Sequence, residues 1–324
     1  MELRSTRSLV PANVGDARQT PALVAEAGPA AGFAWEEFLY GKLRNAHTRR
    51  AYERAIRSFL AWCKARSLVL TRIAPRDVGT YLDEHNGAHA TKKQHLAALR
   101  HFFDQLVIRH AILLNPAASV RGPRHQVIEG KTPEITACQA RRLLSTIDTS
   151  NVVGLRDRAV IGILIYTAAR VGAVAQLRRL DLTDAGDQYC LRFNEKGGKS
   201  REIPVRHDLQ RFIFAYLVEA KCQEAPKESP LFRTAVRRTK QLTERPMTAG
   251  DMSRMVNRRI ADAGLPNRLT AHSFRVATIT DLLEQGVPLA DVQHLAGHAD
   301  PRTTGLYDRR QKCITRNIVE RISI

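Results

Sequence analysis

Apolar residues recur at three- and four-residue intervals along much of the chain, which is the spacing of amphipathic helices. Between Phe33 and Pro116 the two longest stripes are formed by Tyr52, Ile56, Phe59, Leu60 and Cys63, and by Leu96, Leu99, Phe102, Phe103 and Leu106. Shorter helices are predicted at about 34–41 and 75–85. The pattern therefore predicts a small unit of four helices in the first third of the chain.

A second helical region begins after Thr136, which is a predicted N-cap. Its helices are predicted at about 137–147, 154–169, 207–222, 249–263, 272–285 and 289–297. Between about Tyr189 and Val205, the runs YCLRFN and REIPV flank the turn EKGGKS, which is typical of a β-hairpin. The fold class is therefore mainly α, with a small helical domain and a mostly helical second domain that contains a small β-sheet.

Segments without apolar periodicity mark the boundaries of these domains. Residues 1–32 are rich in Ala, Pro, Val and Gly and are predicted to be a flexible leader, with weak DNA contact left open by its three arginines. Residues 119–133 (SVRGPRHQVIEGKTP) combine Pro, Gly and charges and are predicted to be a linker. The first domain is thus expected at 33–118 and the second at 134–324.

The charge of the chain points to a polyanionic partner. Lys and Arg total 51 against 32 acidic residues, so the net charge is +19 and the pI is about 10.3. Such a field attracts nucleic acid, although ribosomal and membrane-surface proteins are equally basic. The five scattered cysteines form no CxxC pair, no apolar run reaches the roughly 20 residues of a membrane helix, and no signal-peptide core is present. We therefore expect a cytoplasmic, nucleoid-associated protein without a membrane partner.

Two helices of the predicted first domain carry basic residues opposite their apolar stripes. The residues expected to contact DNA there are Arg49, Arg50, Arg54, Lys92 and Lys93, and His95 lies beside the last two. A charged helix face is usually just solvated. Two such faces in a chain of net charge +19 favour contact with the DNA backbone.

Five sequence elements of the second domain carry reactive side chains. They are Arg170 in YTAARVGAV, Lys196 in NEKGGKSREIPV, His272 and Arg275 in TAHSFRVAT, His298 in LAGHAD, and Tyr307 in TTGLY. Singly, each has an ordinary explanation: a surface arginine, a turn lysine, an exposed i, i+3 pair, a helix-capping histidine and a core tyrosine. Together they supply what transesterification of a phosphodiester needs.

The nucleophile and the phosphate contacts follow from this chemistry. Tyr307 is the expected nucleophile, and His272 is the expected general base because a phenol in water loses its proton only near pH 10. Arg170 and Arg275 are expected to hold the two non-bridging oxygens, since guanidinium groups bind such oxygens in pairs and stay charged.

The remaining groups complete the reaction. Lys196, on the predicted hairpin, is expected to protonate the departing 5′ oxygen, which leaves as a hydroxyl, and His298 is expected to form a hydrogen bond with the phosphate. Because the protein–DNA ester stores the energy of the broken bond, neither a metal ion nor ATP nor another cofactor is required. The chain also lacks a phosphate-cradling glycine loop or a carboxylate-rich metal cluster.

The order Arg, Lys, HxxR, GH, Tyr resembles the tyrosine recombinase family, which includes lambda-type integrases, Xer proteins and Cre. The run LTAHSFRVATITDLLEQGVPLADVQHLAGHADPRTTGLY is similar to the second conserved box of that family, and the step of nine residues from His298 to Tyr307 is its usual spacing. The helical unit ending in LLNPA resembles the core-binding domain of the family, so the similarity covers about 33–324. It implies a site-specific recombinase, or integrase, that closes around DNA as a C-shaped clamp and works through 3′-phosphotyrosyl intermediates and a Holliday junction.

The resemblance assigns roles to the same five residues. Arg170 and Arg275 match the phosphate-binding arginines, and His272 opens the HxxR motif. His298 occupies a position that is His or Trp in the family, and Tyr307 matches the nucleophile.

The lysine and one acidic position of the family's pattern match this chain less closely than the five residues above. The hairpin of the family often reads GKGxKxR, whose first lysine aligns with Lys196; Lys199 is the competing candidate for the general acid. Lys199 and Arg201 are also expected to contact DNA from this hairpin. The family usually has an acidic residue three positions after the first arginine, where this chain has Ala173. That change removes a group that supports its catalytic neighbours, including His272, and we expect the reaction type to be retained.

The tail CITRNIVERISI places Ile314, Ile318, Val319 and Ile322 at helical spacing, which predicts a helix at about 312–323. One interpretation is a last helix packed on its own domain. The resemblance implies another, in which this helix docks in trans into a neighbouring protomer of a homotetramer on two DNA duplexes. The expected partners are therefore double-stranded recombination sites and three further copies of the chain; a directionality factor cannot be identified from the sequence.

Two alternatives share part of this pattern. A type IB topoisomerase uses the same chemistry on one duplex and would relax plasmids without site dependence. A DNA-binding protein with an inactive site would form no covalent adduct, and Ala173 keeps this alternative open. The first domain and the tail helix favour recombination over the first, and the complete set of catalytic side chains favours it over the second.

Overall fold

A computed structural model describes residues 19–123, 132–194, 200–237, 239–298, 300–305 and 307. The chain divides into two compact units, Met1–Gln126 and Val127–Ile324. In these described ranges, no helix is both long enough and apolar enough to cross a bilayer. The predicted tail helix at 312–323 and most of the predicted linker lie outside the described residues.

Helices are the only regular elements of the first unit within its described residues. Its helices are α1 (Ala22–Glu26), α2 (Pro29–Glu36), which continues as a π-helical segment (Glu37–Lys42), α3 (Ala46–Lys64), α4 (Pro75–Glu84) and α5 (His89–Ile108), with a 3₁₀ turn at Leu70–Arg72. Helix α3 begins at Asn45, whose side-chain oxygen accepts the backbone N–H groups of His47 and Thr48 at 2.9 and 3.2 Å. The predicted stripes of α3 and α5 are buried except for the half-buried Tyr52.

The prediction of a leader at 1–32 is wrong for its last third. Helix α1 and the first residues of α2 lie there, and Leu23 and Val24 are buried in the core of the first unit. A helix of five residues is too short to show periodicity among the surrounding alanines, so the sequence carried no apolar signal for it. Pro29 at the first position of α2 matches the preference of proline for helix starts. Residues 1–18 lie outside the described part.

The second unit is mostly helical, as predicted. Its elements are α6 (Ala137–Ser145), α7 (Val152–Thr167), α8 (Val171–Val174), β1 (Leu182–Asp184), β2 (Tyr189–Asn194), β3 (Ser200–Pro204), α9 (His207–Glu219), β4 (Arg233–Ala235), β5 (Leu242–Pro246), α10 (Ala249–Asp262), α11 (Ala271–Glu284), α12 (Leu289–Ala296) and α13 (Pro301–Gly305). Thr136 caps α6 as predicted, with its hydroxyl accepting the backbone N–H of Gln139 at 3.2 Å. Helix α7 is buried on nearly all sides and packs against α9 and α11.

The predicted hairpin is confirmed in its strands. β2 and β3 pair antiparallel with Leu191 opposite Ile203 and Phe193 opposite Arg201, and β1 extends the sheet beside β2. The sequence pattern missed β1 and the β4–β5 ladder, because strands of three to five residues in polar surroundings show too few alternations to be recognised. The turn of the hairpin, 195–199, lies outside the described residues.

A buried carboxylate joins α7 to α10. Asp157 is fully buried and forms ion pairs with Arg156, Arg258 and Arg259, at 2.6, 3.4 and 2.8 Å. Such a group is tolerated in a core only when it is paired, because removing a charge from water costs several kcal/mol. The pairing therefore fixes the position of α7, the helix that leads into the candidate site.

Candidate active site

The site begins where α7 ends. Thr167 is the last residue of α7, and Ala168 follows in the left-handed conformation with φ 50° and ψ 22°. This conformation is uncommon for a residue with a side chain, and here the residue is completely buried. The sharp turn directs the carbonyl of Ala168 into the protein and places Arg170 at the cap of the short helix α8.

The two predicted phosphate-binding arginines lie side by side at the end of α12. Arg275, on α11, is 1% exposed and donates hydrogen bonds to the carbonyls of Ala168 and Ala296, the second at 2.5 Å. Arg170 is exposed and approaches the next carbonyl, that of Gly297, with its Nη1 at 3.5 Å. The carbonyl end of a helix is a region of negative potential, which favours two guanidinium groups at this place.

His272 lies in the first turn of α11, three residues before Arg275. Its pKa is lowered from the ordinary value, first by partial desolvation and then by the positive charges of Arg275 and Arg170. The positive end of the helix dipole acts in the same direction. His272 is therefore neutral near pH 7, which is the state that a general base requires.

His298 follows Gly297, the C-cap of α12, and is 7% exposed. Burial lowers its pKa to about 4, and the nearby charges, above all those of Arg275 and Arg170, contribute to the shift. Two hydrogen bonds join the backbone of His298 to Gln293. The backbone N–H of His298 donates to the carbonyl of Gln293, and the side-chain amide of Gln293 donates to the carbonyl of His298, both at 3.1 Å. The imidazole Nδ1 lies 2.8 Å from the hydroxyl of Thr304.

Tyr307 lies between the two histidines. Its ring stacks on His298 with centroids 6.0 Å apart and planes 8° from parallel, and its edge packs against a small apolar cluster that includes Ala168 and Ile279. The phenol oxygen is 3.5 Å from Nε2 of His272. The structure thus brings together five of the six side chains predicted to be catalytic: Arg170, His272, Arg275, His298 and Tyr307.

The two lysines of the hairpin turn, Lys196 and Lys199, lie outside the described residues, so their roles remain predictions. Arg201 lies differently from the prediction. It is 7% exposed, and its guanidinium lies 5.6 Å from the centre of the Phe193 ring. The β2–β3 register pairs Arg201 with the buried Phe193, which turns it towards the interior, and its charge contributes to the low pKa of His298. Arg201 is therefore a buried charge near His298, and its contact with DNA remains a prediction.

The predicted DNA-binding residues of the first unit are accessible. Arg50, Arg54 and Lys93 are exposed, and Arg49 and Lys92 are half-buried. His95 is buried and hydrogen-bonded to Tyr81 at 2.8 Å, so it does not belong to the basic face. Contact of these five cations with DNA remains a prediction.

The low pKa values of the two histidines predict how stability depends on pH. An unfolded histidine has a pKa of about 6.5, so between that value and the lower folded values the unfolded chain binds more protons than the folded chain. The stability contributed by neutral His272 and His298 is therefore complete above pH 6.5 and is lost as the pH falls towards 4. We expect the unfolding free energy, measured by denaturant titration at several pH values, to fall more steeply in this window for the wild type than for His298→Gln. Equal slopes for the two proteins would contradict this assignment.

Two features of the site escaped sequence reasoning. The left-handed turn at Ala168 gave no signal, because glycine or asparagine is the usual residue in that conformation. Thr304 was not singled out, although it stands three residues before Tyr307, whose backbone N–H donates to the carbonyl of Thr304 at 3.0 Å. Threonine is too common for that spacing to suggest a function.

In this mainly helical domain, two arginines, two histidines and a tyrosine lie together in one positively charged site. This arrangement is typical of the tyrosine recombinase class. Comparison with family models gives the same result, with a match to the phage integrase family over residues 133–313 and to its N-terminal SAM-like domain over residues 34–110. The first match covers more than half of the chain. The chain therefore belongs to the phage integrase family.

Curated relatives agree with this assignment. Tyrosine recombinase XerC 2 of Ralstonia nicotianae is 30% identical over 277 residues, which span 81% of this chain and 76% of that protein. Tyrosine recombinase XerD of Listeria monocytogenes is 28% identical over 272 residues, covering 81% of this chain and 88% of that protein. The predictions of the family and of an enzyme of the tyrosine recombinase class are confirmed.

Solved structures share the fold. The XerH site-specific recombinase bound to palindromic difH substrate in a post-cleavage complex matches with a TM-score of 0.66 at 21% identity, over 82% of this chain and 77% of that chain. A lambda integrase tetramer bound to a Holliday junction matches with a TM-score of 0.63 at 19% identity, over 89% of this chain and 80% of that chain. The predicted fold class, mainly α with a small sheet in the catalytic domain, is confirmed.

Proposed function

We propose that this chain is a site-specific DNA recombinase in which Tyr307 cleaves one strand and forms a 3′-phosphotyrosyl ester. One observation carries the proposal: the phenol oxygen of Tyr307 lies 3.5 Å from Nε2 of a neutral His272. All of these groups belong to one chain, which supports cleavage in cis, by the protomer that binds the phosphate.

The first step is attack on phosphorus by the phenol oxygen. His272 accepts the proton of Tyr307 as the O–P bond forms, and the bond from phosphorus to the 5′ oxygen breaks. A separation of 3.5 Å is long for a hydrogen bond, and such contacts often shorten only when the substrate is bound. The reverse reaction with a 5′ hydroxyl from another duplex releases Tyr307 and exchanges the strand.

The phosphate is held by the paired arginines. Arg275 and Arg170 lie at consecutive carbonyls at the end of α12, which brings their guanidinium groups close enough to share one phosphate. Negative charge that develops on the non-bridging oxygens is stabilised by fixed positive groups that need no rearrangement. The exposed Arg170 approaches from the solvent side, and Arg275 from within the protein.

Lys196 is proposed as the acid that protonates the departing 5′ oxygen. Lys196→Ala is expected to slow single-turnover cleavage by about 10²- to 10⁴-fold, the range lost with a general acid. On a substrate with sulfur in place of that 5′ oxygen, the loss should largely disappear, because a thiolate with a conjugate-acid pKa of about 8.5 leaves without a proton.

Lys199→Ala is the matched control for Lys196→Ala, since it removes the neighbouring lysine of the same turn. It should slow cleavage of both substrates equally if Lys199 binds DNA. Rescue by sulfur in Lys199→Ala, and not in Lys196→Ala, would assign the acid to Lys199 instead.

The substrate is duplex DNA, and the assembly is proposed to be a homotetramer on two duplexes, by extension from the lambda integrase tetramer and the XerH complex. The basic residues Arg49, Arg50, Arg54, Lys92 and Lys93 are proposed to bind the phosphate backbone of the site. The tail helix at 312–323 is proposed as the element that docks in trans. We propose that the protein, as a recombinase of cellular DNA, is cytoplasmic and associated with the nucleoid.

The proposal is tested by covalent capture. The purified chain is incubated with fragments of genomic DNA from its source organism, the mixture is denatured in detergent, and DNA that stays attached to protein is sequenced. We expect one short sequence to be enriched, attached through its 3′ phosphate to Tyr307, and two duplexes carrying it to recombine.

Two other outcomes would replace this proposal. Attachment at unrelated sequences, together with relaxation of any plasmid, would indicate a topoisomerase. DNA binding without a covalent adduct would indicate a DNA-binding protein with an inactive site, and the absence of a carboxylate at Ala173 would then explain the lost activity.

A further inference from the structure

Thr304 has a buried hydroxyl directed at a catalytic histidine. Its side chain is 0% exposed, and its Oγ1 lies 2.8 Å from Nδ1 of His298, which is itself 7% exposed. The backbone carbonyl of Thr304 accepts the N–H of Tyr307 at 3.0 Å. One residue therefore contacts both the imidazole and the segment that carries the nucleophile.

The neutral imidazole of His298 has two tautomers, with the proton on either Nδ1 or Nε2. Its pKa of about 4, set first by burial, keeps the ring uncharged near neutral pH. A neutral imidazole carries one proton, so one nitrogen donates and the other accepts. If Nε2 lacks the proton, a lone pair faces the anionic phosphate and repels it; if Nε2 carries it, the ring donates a hydrogen bond.

The hydroxyl of Thr304 decides between these forms. Within the part of the chain that the structure describes, His298 Nδ1 is its sole side-chain hydrogen-bond partner. A buried hydroxyl proton without an acceptor is costly, by the desolvation of an unpaired donor. The proton is satisfied when the hydroxyl donates to Nδ1, which leaves the ring proton on Nε2.

We propose that Thr304 is a positioning residue that holds His298 in the form protonated at Nε2, ready to donate to a non-bridging oxygen of the scissile phosphate. The part of this proposal that concerns the phosphate rests on the proposed function. The part that concerns the ring proton does not, because it describes the protein without DNA.

The other contacts of His298 make the hydroxyl the element that controls the ring. Gln293 holds the backbone of His298 on both sides, and the ring lies parallel to that of Tyr307 at 6.0 Å. These contacts fix where the ring lies but not which nitrogen carries the proton. Removing only the hydroxyl should therefore change the tautomer and leave the ring in place.

The tautomer is measured directly by NMR. The full-length chain is labelled with ¹⁵N in its histidines, and the His298 ring signals are assigned by their loss in His298→Gln. We expect Nε2 alone to be protonated in the wild type and in Thr304→Ser. In Thr304→Val, which has the same shape without the hydroxyl, we expect a mixture of the two neutral forms, because the selection between them is lost. A wild-type ring protonated at Nδ1, or an unchanged ring in Thr304→Val, would overturn the proposal.

The consequence for catalysis is measured on a suicide duplex that carries the recovered site. Thr304→Val is expected to lower the single-turnover rate about tenfold, the scale of one neutral hydrogen bond, without changing DNA affinity. Thr304→Ser is expected to restore most of the rate, which separates loss of the hydroxyl from loss of folding. A variant that unfolds at a lower temperature and is not rescued by serine would show a structural role only.

The His298→Trp variant provides the background for a second test. An indole N–H can only donate, so it needs no neighbour to select its tautomer. In His298→Trp, adding Thr304→Val should cause less than a twofold further loss. A tenfold further loss would show that Thr304 acts on something other than the histidine proton. If the wild type forms no adduct, the proposed function fails, whereas the NMR result still decides the tautomer.

Discussion

Tyr307→Phe is expected to eliminate the covalent protein–DNA adduct and to leave folding and DNA binding unchanged. The substitution removes one oxygen, the only atom of Tyr307 that can form the ester. The ring of phenylalanine retains the stacking on His298 and the packing against the cluster around Ala168. The lost hydroxyl made one long contact of 3.5 Å with His272, which contributes little to stability.

The size of this effect is the largest that a single change should produce. Loss of a covalent nucleophile lowers the rate on the order of a millionfold in well-studied hydrolases, which places the adduct below detection. The measurement is a denaturing gel of the adduct on a suicide duplex, with mass spectrometry of the phosphotyrosyl peptide from the wild type. Tyr166→Phe, which removes a phenol hydroxyl elsewhere in the same unit, is the matched control and should retain the adduct. An adduct that survives in Tyr307→Phe would place the nucleophile at another residue.

The two arginines proposed to bind the phosphate should behave alike in catalysis and differently in stability. Arg170→Ala and Arg275→Ala are both expected to abolish cleavage, since each removes a positive group from the developing charge. Arg170 is exposed and lies at the long distance of 3.5 Å from the carbonyl of Gly297, so we expect its loss to lower the unfolding free energy less than the loss of the buried Arg275 does. Arg275 is buried, and its loss leaves the carbonyls of Ala168 and Ala296 without this donor.

We expect Arg275→Ala to lower the unfolding free energy by about 3 kcal/mol, because each buried polar group left unpaired costs roughly 1–3 kcal/mol. Denaturant titration of the two variants beside the wild type measures the difference. Arg211→Ala, which changes a side chain that is 78% exposed in the same unit, controls for loss of an arginine as such. Equal stability of the Arg170 and Arg275 variants would show that the buried hydrogen bonds do not join these elements as described.

DNA affinity provides a second comparison. If the basic residues of the first unit supply most of the binding, Arg170→Ala should bind DNA nearly as well as the wild type. Arg275→Ala should match it at low temperature, where the variant is folded, and lose affinity as the temperature approaches its lowered unfolding transition.

Much of the fold could be predicted because its signals are local. The stripes of α3 and α5 repeat at the helical period over several turns, and the cap at Thr136 and the hairpin strands on either side of 195–199 follow from short-range rules. The cluster of Arg170, His272, Arg275, His298 and Tyr307 could also be predicted, since the order and spacing of these residues are unusual in combination.

The parts that could not be predicted depend on contacts distant in sequence. Leu23 and Val24 belong to the core only because other helices cover them, and Arg201 is buried only because its strand pairs it with Phe193. Nothing near Ala168 in the sequence predicts its left-handed backbone conformation. The carbonyl of Ala168 accepts a hydrogen bond from Arg275, which lies more than a hundred residues later in the chain. Local patterns carry no information about such partners.

Arg275 has a proposed role in catalysis and a structural role in the core. This difference from Arg170 bears on how inactive relatives of this chain should be interpreted. A copy that no longer cuts DNA still needs the buried Arg275 to join the ends of α7 and α12, whereas Arg170 is exposed and its contact with the Gly297 carbonyl is long at 3.5 Å. Decay of activity should therefore erase Arg170 early and Arg275 late. An inactive protein descended from this chain would keep the buried Arg275 because its fold requires it. The exposed Arg170 is therefore the better marker of an active recombinase.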